Sequence, residues 1–186
     1  MMLNLRYFGQ KARKGVVFLA SAAVLAAFAP AFADGGTQDV GSGSVLDLRP
    51  EDAPDMCDAS VPQIRVTVNG ISQVGILAVE VYNDDTKNFL SSEGRIKRAR
   101  VAAQDGSQTV CINVPGAGTY AVASYHDIDA DRKLDRKWNF LPKEPFALSN
   151  DPKLKLRKPR HREAAFTAGD LGQDVTVNLR GSKPDR

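Results

Sequence analysis

A series of short apolar runs separated by turn-forming residues constrains the fold more than any other feature of this sequence. The first run sets the pattern, because Ile64, Val66 and Val68 alternate with polar residues, which is the period of a strand with one buried face. Gly, Pro, Asn and Asp lie between successive runs, and no long segment has the 3.6-residue period of an amphipathic helix. The runs are 63–70, 76–82, 95–102, 110–114, 119–125, 164–167 and 175–179.

The runs predict an all-β fold, a single immunoglobulin-like or transthyretin-like β-sandwich of about seven strands. A β-barrel stays open as the alternative, because its strands have the same period. Asn69-Gly70 is predicted to end the first strand in a tight turn. The interval 126–162 has no clear strand and is predicted to be one long loop excursion, the kind of segment that often carries function.

Residues 1–33 have the composition of a cleavable export signal. Basic residues begin the segment, an apolar run of 14 residues extends from Val16 to Ala29, and Ala31-Phe32-Ala33 has the small-residue pattern of a cleavage site. A helix that spans a bilayer needs about 20 apolar residues, so a retained membrane anchor is the less favoured interpretation. We therefore expect a periplasmic or secreted protein, cut near Ala33-Asp34, with no transmembrane segment after the signal is removed.

The charge of the chain depends on this leader. The sequence has 25 Lys and Arg against 22 Asp and Glu, but four of the basic residues and none of the acidic ones lie in residues 1–33. The remaining chain therefore has one more acidic than basic residue. Its overall charge gives no reason to expect a nucleic acid as partner.

The predicted organisation after the leader is a flexible N-terminal segment, 34–60, a β-sandwich domain, 61–181, and a C-terminal tail, 182–186. The N-terminal segment is rich in Gly, Ser, Asp and Pro, a composition typical of a tether.

Cys57 and Cys111 are the two cysteines of the chain, and an even number in an exported protein favours a disulfide. Closing a loop of this length would stabilise the fold by about 4 kcal/mol. Two buried free thiols are the alternative.

The segment that begins at Asp127 has the acidic spacing of a calcium-binding loop. Oxygen ligands at every second residue let a chain wrap around a hard cation. Arg132 stands where an EF-hand-like loop has Gly, and Trp138 stands where it has the closing Glu, so Glu144 and Asp151 are candidates for a further ligand. A hairpin of Asx turns and local salt bridges is the alternative. The four candidate metal ligands, at positions one, three, five and nine of such a loop, are Asp127, Asp129, Asp131 and Asp135.

Ser124, His126 and Asp127 invite comparison with a catalytic triad. On one strand Ser124 and His126 lie two residues apart, roughly 7 Å at their Cα atoms, whereas a nucleophile and its base must approach to about 3 Å. The chain has no HExxH motif, no GxSxG motif and no phosphate-binding glycine loop. We therefore expect a non-catalytic protein, and a periplasmic hydrolase is the least favoured interpretation.

A basic run after the acidic loop is the second candidate site. It has no aromatic residue for stacking on bases, so it favours an anionic surface, such as lipid headgroups, over a nucleic acid. A solvated loop balanced by acidic residues elsewhere is the alternative. The basic residues are Lys153, Lys155, Arg157, Lys158, Arg160 and Arg162.

Several motifs together resemble a family of exported bacterial proteins, domain of unknown function 2141. Members usually have Asn and Gly in the acidic loop, where this chain has Ala130, Asp131 and Arg132, and a Gly before Pro-Lys-Glu, where it has Leu141. The resemblance covers roughly 61–181 and implies no established activity. The Gly-Thr-Tyr run is also similar to that of transthyretin-like and Cna-B-like sandwich domains. The motifs are GTYAVASYHD from Gly118, Lys133-Leu134-Asp135, NFLPKE from Asn139 and FALSN from Phe146.

Together these features predict an exported, non-catalytic accessory or binding module of the bacterial envelope, whose ligand the sequence does not identify. The alternative is a calcium-binding sandwich that uses the 127–135 loop. Calcium is thus the candidate cofactor, and the expected partner is an unknown envelope component, with an anionic surface as the candidate.

Overall fold

A computed structural model describes residues 39–40, 44–72, 74–135, 142–153, 155 and 157–181. The predicted leader and C-terminal tail, and Trp138, lie outside these residues. Among the described residues no helix is long and apolar enough to cross a bilayer. The helices are a 3-10 turn at Pro50–Asp52 and α1 at His161–Ala164. The strands are β1 (Asp39–Val40), β2 (Ser44–Val45), β3 (Gln63–Ile71), β4 (Ile76–Tyr82), β5 (Arg95–Ala102), β6 (Gly106–Asn113), β7 (Gly118–Asp127), β8 (Phe146–Leu148), β9 (Phe166–Ala168) and β10 (Gly172–Asn178).

Eight of these strands form two sheets. The smaller sheet has the order β10-β3-β6, with β10 parallel to β3 and β6 antiparallel to it. The larger sheet has the order β5-β4-β7-β8, and β9 pairs with the beginning of β7. All pairs of the larger sheet are antiparallel.

The inner faces of the two sheets share one apolar core. Ile64 and Val66 of the smaller sheet pack in the same cluster as Leu77, Val79 and Val122 of the larger one, and all five are fully buried. Within the described part of the chain the sheets do not close into a barrel. The predicted all-β sandwich is therefore confirmed.

The strand ends differ from the sequence prediction in two places. The predicted turn at Asn69-Gly70 is wrong, because β3 continues to Ile71 and its register against β6 shifts between Asn69 and Ile71. The positive φ of Gly70, 84°, thus serves a bulge inside the strand. The interval 126–162 contains β8, which pairs with Ala123–Tyr125 of β7 and was too short to recognise from alternation.

Residues before β3 also contact the sandwich. Cys57 and Cys111 form the predicted disulfide, and Asp55 makes an isolated bridge to Cys111 of β6. The buried side chain of Gln63 binds the same segment: its amide nitrogen donates to the carbonyl of Met56 at 2.6 Å. The disulfide and these bonds fix the end of the N-terminal segment to the smaller sheet.

The larger sheet is covered on both faces around β4. Leu77, Val79 and Val81 point into the core, whereas Glu80 and Tyr82 lie on the outer face and are also buried. A second apolar cluster that includes Phe89 covers part of this outer face. The outer face and the last residue of β7 carry the features described next.

Candidate functional site

The acidic loop begins where β7 ends, and a close backbone contact fixes that point. Asp127 is the last residue of β7 and pairs with Ile76 of β4. A Cβ atom on Gly75 would lie 2.1 Å from the carbonyl oxygen of Asp127, and Gly75 has a φ of +78°, so only glycine fits there. The buried ring of His126 binds the carbonyl of Val74 at 2.6 Å. The start of the loop is therefore held from two directions.

The loop brings three of the four predicted ligands together. Asp127, Asp129 and Asp131 each offer a carboxylate oxygen, and these oxygens all lie within 4.8 Å of one another. The chain curls around them through left-handed conformations at Ala130, with φ 58°, and Arg132, with φ 68°. Arg132 thus adopts, at an energetic cost, the conformation for which an EF-hand-like loop uses glycine.

Asp135, the fourth predicted ligand, is not part of this group. Its carboxylate pairs with Lys143, with Nζ and Oδ2 3.0 Å apart, and its carbonyl accepts the Lys143 backbone N–H at 2.8 Å. Asp151, the other candidate for a further oxygen, pairs with Arg180. Neither residue faces the three gathered carboxylates.

Glu144 is the acidic residue that the fold brings next to the group, at the residue that follows Asp127. It is buried, with 8% of its surface exposed, and its Oε1 accepts the backbone N–H of Ile128 at 3.2 Å. Glu144 reaches this place because β8, two residues later, pairs with β7 and returns the chain to the start of the loop. Spacing along the sequence shows no such link, so sequence reasoning could name Glu144 as a candidate and no more.

Two buried carboxylate oxygens at this point have no hydrogen-bond partner among the described residues. They are Oδ1 of Asp127, a fully buried residue, and Oε2 of Glu144. The other oxygens of these groups are satisfied, since Oδ2 of Asp127 accepts the Arg132 backbone N–H at 2.7 Å. A buried carboxylate oxygen without a partner is costly, and a bound cation removes that cost.

The pKa values of Asp127 and Glu144 are both raised, as is expected for buried carboxyl groups without a neighbouring positive charge. Burial raises the pKa of Glu144 to about 7, and repulsion from Asp127 contributes to the increase. Burial likewise raises the pKa of Asp127 to about 6, with a further contribution from Asp129. Each carboxyl group is therefore poorly accommodated as an anion by the protein alone.

The positive charge of Arg132 is directed away from these carboxylates. Its guanidinium lies 2.5 Å from Oδ2 of Asp52, in the 3-10 turn, and also approaches Asp47. Buried Arg100 of β5 binds the same Asp52 oxygen at 2.6 Å and donates to the Arg132 carbonyl at 3.1 Å. Arg132 is thus neutralised by the N-terminal segment and not by the gathered carboxylates, of which Asp131 has Lys133 at 3.9 Å.

The sequence model of a family described as an uncharacterized protein conserved in bacteria (DUF2141) matches residues 66–176, more than half of the chain. The chain belongs to this family. The DUF2141 match begins within β3, ends within β10 and includes both the acidic loop and Glu144. No curated protein and no solved structure matches the chain.

In this DUF2141 domain Ser124 and His126 bind backbone atoms. The Ser124 hydroxyl donates to the carbonyl of Ala78 at 2.9 Å, and His126 binds Val74 as described above. Burial lowers the pKa of His126. Both side chains hold neighbouring chain segments together, and neither is directed at the other as a nucleophile and its base.

The basic run of the DUF2141 domain borders two adjacent cavities. Lys155, Arg157 and Lys158 line a cavity on the outer face of the larger sheet, and Arg160 and Arg162, at the start of α1, line a second cavity that Lys158 also borders. Lys153 is exposed and lines neither cavity. Lys158 therefore links the two cavities, and the six residues stay a predicted surface for an anionic partner.

Proposed function

We propose that this protein is an exported, non-catalytic binding module whose acidic loop binds calcium. One observation carries the proposal: Asp127, whose carboxylate lies with those of Asp129 and Asp131, has a buried oxygen without a partner among the described residues, and so has Glu144, which binds the next residue, Ile128. Three gathered carboxylates, with the buried carboxylate of Glu144 bound to the adjacent Ile128 amide, supply the oxygen ligands from which a shell for a hard cation is built.

The donor set favours calcium over other common metal ions. All four side chains offer oxygen, whereas zinc sites use mainly nitrogen and sulfur ligands. Magnesium requires near-ideal octahedral geometry and keeps several waters, whereas calcium accepts six to eight oxygens from an irregular loop. Backbone carbonyls of the loop are available to complete such a shell.

Export is part of the same proposal. The leader at residues 1–33 has the composition of a signal peptide, and the Cys57–Cys111 disulfide suits an oxidising compartment. Expression of the full chain in a bacterium, followed by fractionation and mass measurement, tests this part. We expect a periplasmic or secreted product that lacks the leader, and a full-length cytoplasmic product would contradict export.

The calcium proposal is tested by titrating the metal-free protein with calcium. We expect a saturable heat of binding and a rise in melting temperature, since a ligand at 100 times its Kd stabilises the folded state by about 2.7 kcal/mol. Glu144→Gln and Asp129→Asn remove one charged ligand each and should weaken binding at least ten-fold. Asp105→Asn is the matched control, because Asp105 is exposed in the turn between β5 and β6.

Two outcomes would contradict the calcium site. One is an unchanged melting temperature of the wild-type protein at millimolar calcium. The other is binding that Asp105→Asn weakens as much as Glu144→Gln does. A titration with magnesium separates calcium preference from a general response to divalent cations, and we expect weaker binding of magnesium.

A further inference from the structure

A cavity of about 550 Å³ opens on the outer face of the larger sheet, on the side away from the shared core. Three side chains in register form its floor: Glu80 of β4 is opposite Ala123 of β7, which is opposite Leu148 of β8. Because the side chain of Ala123, in the middle of the floor, is small, it leaves space for the cavity. A volume of this size suits a small organic ligand.

The charged residues of the cavity are almost all basic. Among the described residues of its lining Glu80 is the one acidic residue, and both of its oxygens are engaged: Tyr82 donates to Oε2, and two arginines bind Oε1. Arg95 lies 3.0 Å and Arg98 2.5 Å from that oxygen. Two guanidinium groups thus share one carboxylate, and one positive charge is left over.

The opposite rim adds further positive charge. Lys155 and Arg157 share Glu163, at 3.5 Å and 2.7 Å. The Arg157 hydrogen bond holds the pKa of Glu163 well below its usual range, so Glu163 stays an anion and can neutralise only one of the two. Lys158 lines the cavity and has no ion pair among the described residues. These groups leave two more uncompensated positive charges at the mouth.

The same cavity has an apolar wall. Leu148 is buried in the floor, and Leu90, Phe146 and Pro159 also line the space. An apolar surface beside arginine guanidinium groups is complementary to a molecule with an anionic head and a hydrocarbon body. An extended polyanion or a flat membrane surface would use the charges and leave the apolar wall unused.

We propose that this cavity binds a small amphipathic anion, with a carboxylate or phosphate head at Arg95 and Arg98 and an apolar body over Ala123 and Leu148. The proposal does not depend on the calcium site, because none of these four residues contributes to the carboxylate cluster. Glu80 and Tyr82 hold the two guanidinium groups in place for the head of the ligand.

The test compares four probes by titration calorimetry: octyl phosphate, octanoate, inorganic phosphate and 1-octanol. We expect octyl phosphate or octanoate to bind at least ten-fold more tightly than inorganic phosphate and than octanol. Each titration is carried out in the presence of a chelator and again with calcium. If the wild-type protein binds octyl phosphate or octanoate but not calcium, the calcium site alone is rejected. If it binds calcium but neither amphiphile, the cavity proposal alone is rejected.

Two variants locate the binding. Arg98→Gln removes one guanidinium but leaves Arg95 on Glu80, and we expect it to weaken octyl phosphate or octanoate binding about ten-fold. Ala123→Leu fills the floor and should abolish binding. Arg65→Gln, on the smaller sheet, removes an arginine that is ion-paired to Asp174 and should change nothing. Melting curves show which variants are folded, and Arg98→Lys replaces Arg98→Gln if the latter is unfolded.

Three results would overturn the proposal. They are equal affinity for octyl phosphate and inorganic phosphate, unchanged affinity in folded Arg98 and Ala123 variants, and binding to vesicles of anionic phospholipid without binding of the soluble amphiphiles. The last result would indicate that the basic residues bind a membrane surface and that the cavity does not bind a soluble ligand.

Discussion

Ala130 adopts a left-handed conformation, φ 58°, within the acidic loop. A Cβ atom in this region costs about 1 kcal/mol relative to glycine. We therefore expect Ala130→Gly to raise the free energy of unfolding by about 1 kcal/mol, measured by denaturant titration of the metal-free protein. Ala53→Gly is the control, because Ala53 is exposed and has a φ of −63°. A gain from Ala53→Gly equal to that from Ala130→Gly would contradict this explanation.

At the scale of single residues the sequence indicated part of the site. Alternating aspartates from Asp127 to Asp131 predicted a set of carboxylates that the structure gathers, because wrapping by a short loop is a local property. Asp135 has the right spacing but pairs with Lys143, and Glu144 reaches Ile128, next to Asp127, from a later segment. Both departures depend on how the chain returns along β8, which local spacing does not encode.

At the scale of elements, the N-terminal segment supports the acidic loop through Asp52. This carboxylate binds both Arg100, whose side chain is 4% exposed, and Arg132 of the loop. Removing one partner of a buried ion pair leaves a charge without compensation and costs about 3 kcal/mol. We therefore expect Asp52→Ala to destabilise the fold by about that amount in thermal or denaturant unfolding, and to weaken calcium binding.

The control for this prediction is Asp47→Ala. Asp47 also approaches Arg132, but its side chain is half exposed, so its loss should cost less than about 1 kcal/mol. Equal effects of the two substitutions would show that Asp52 has no special role. Unchanged calcium affinity in folded Asp52→Ala would show that the N-terminal segment and the loop act independently.

The strands of the two sheets were largely predictable from alternation and apolar runs. The ranges of β4 and β5 agree with their predicted runs, because each is a continuous stretch that ends at turn residues. β8 has three residues, too few for a period to be visible. The ion pairs of Asp52 join residues 48 and 80 positions apart, and no local pattern reports such contacts.

At the scale of the whole molecule, the raised pKa values of Asp127 and Glu144 predict how stability depends on pH. In the metal-free protein the folded state keeps a proton on Glu144 up to about pH 7, whereas an ordinary glutamate loses it near 4.5. The folded state therefore binds more protons than the unfolded state in this interval, and the Glu144 contribution to stability falls as pH rises through it. His126, whose pKa burial lowers, acts in the opposite direction.

The measurement that isolates Glu144 compares wild type with Glu144→Gln in a chelator between pH 5 and 8. We expect the stability of wild type relative to the variant to fall by about 3 kcal/mol across this range. Saturating calcium should remove this fall in the wild type, because the bound ion stabilises the ionised carboxylates. A constant difference between the two proteins would contradict the raised pKa of Glu144.

The sandwich has two charged sites, and the acidic loop borders both, because Arg132 and Lys133 also line the cavity. The carboxylate cluster lies at the end of β7, and the basic cavity lies on the outer face of the larger sheet. Three aspartates between 127 and 131 lie in the first site, and Lys155, Arg157 and Lys158 line the second. Arg95 and Arg98 of β5 reach the same cavity from a distant part of the sequence, so the charge count of the basic run alone did not reveal it.

The most direct test of the calcium site is a pair of crystal structures, one grown with calcium chloride and one with a chelator. With calcium, we predict one ion with oxygens of Asp127, Asp129, Asp131 and Glu144 at about 2.3–2.6 Å. Density without an ion at this point at millimolar calcium, or a protein donor bound to the inward oxygens of Asp127 and Glu144, would contradict the account.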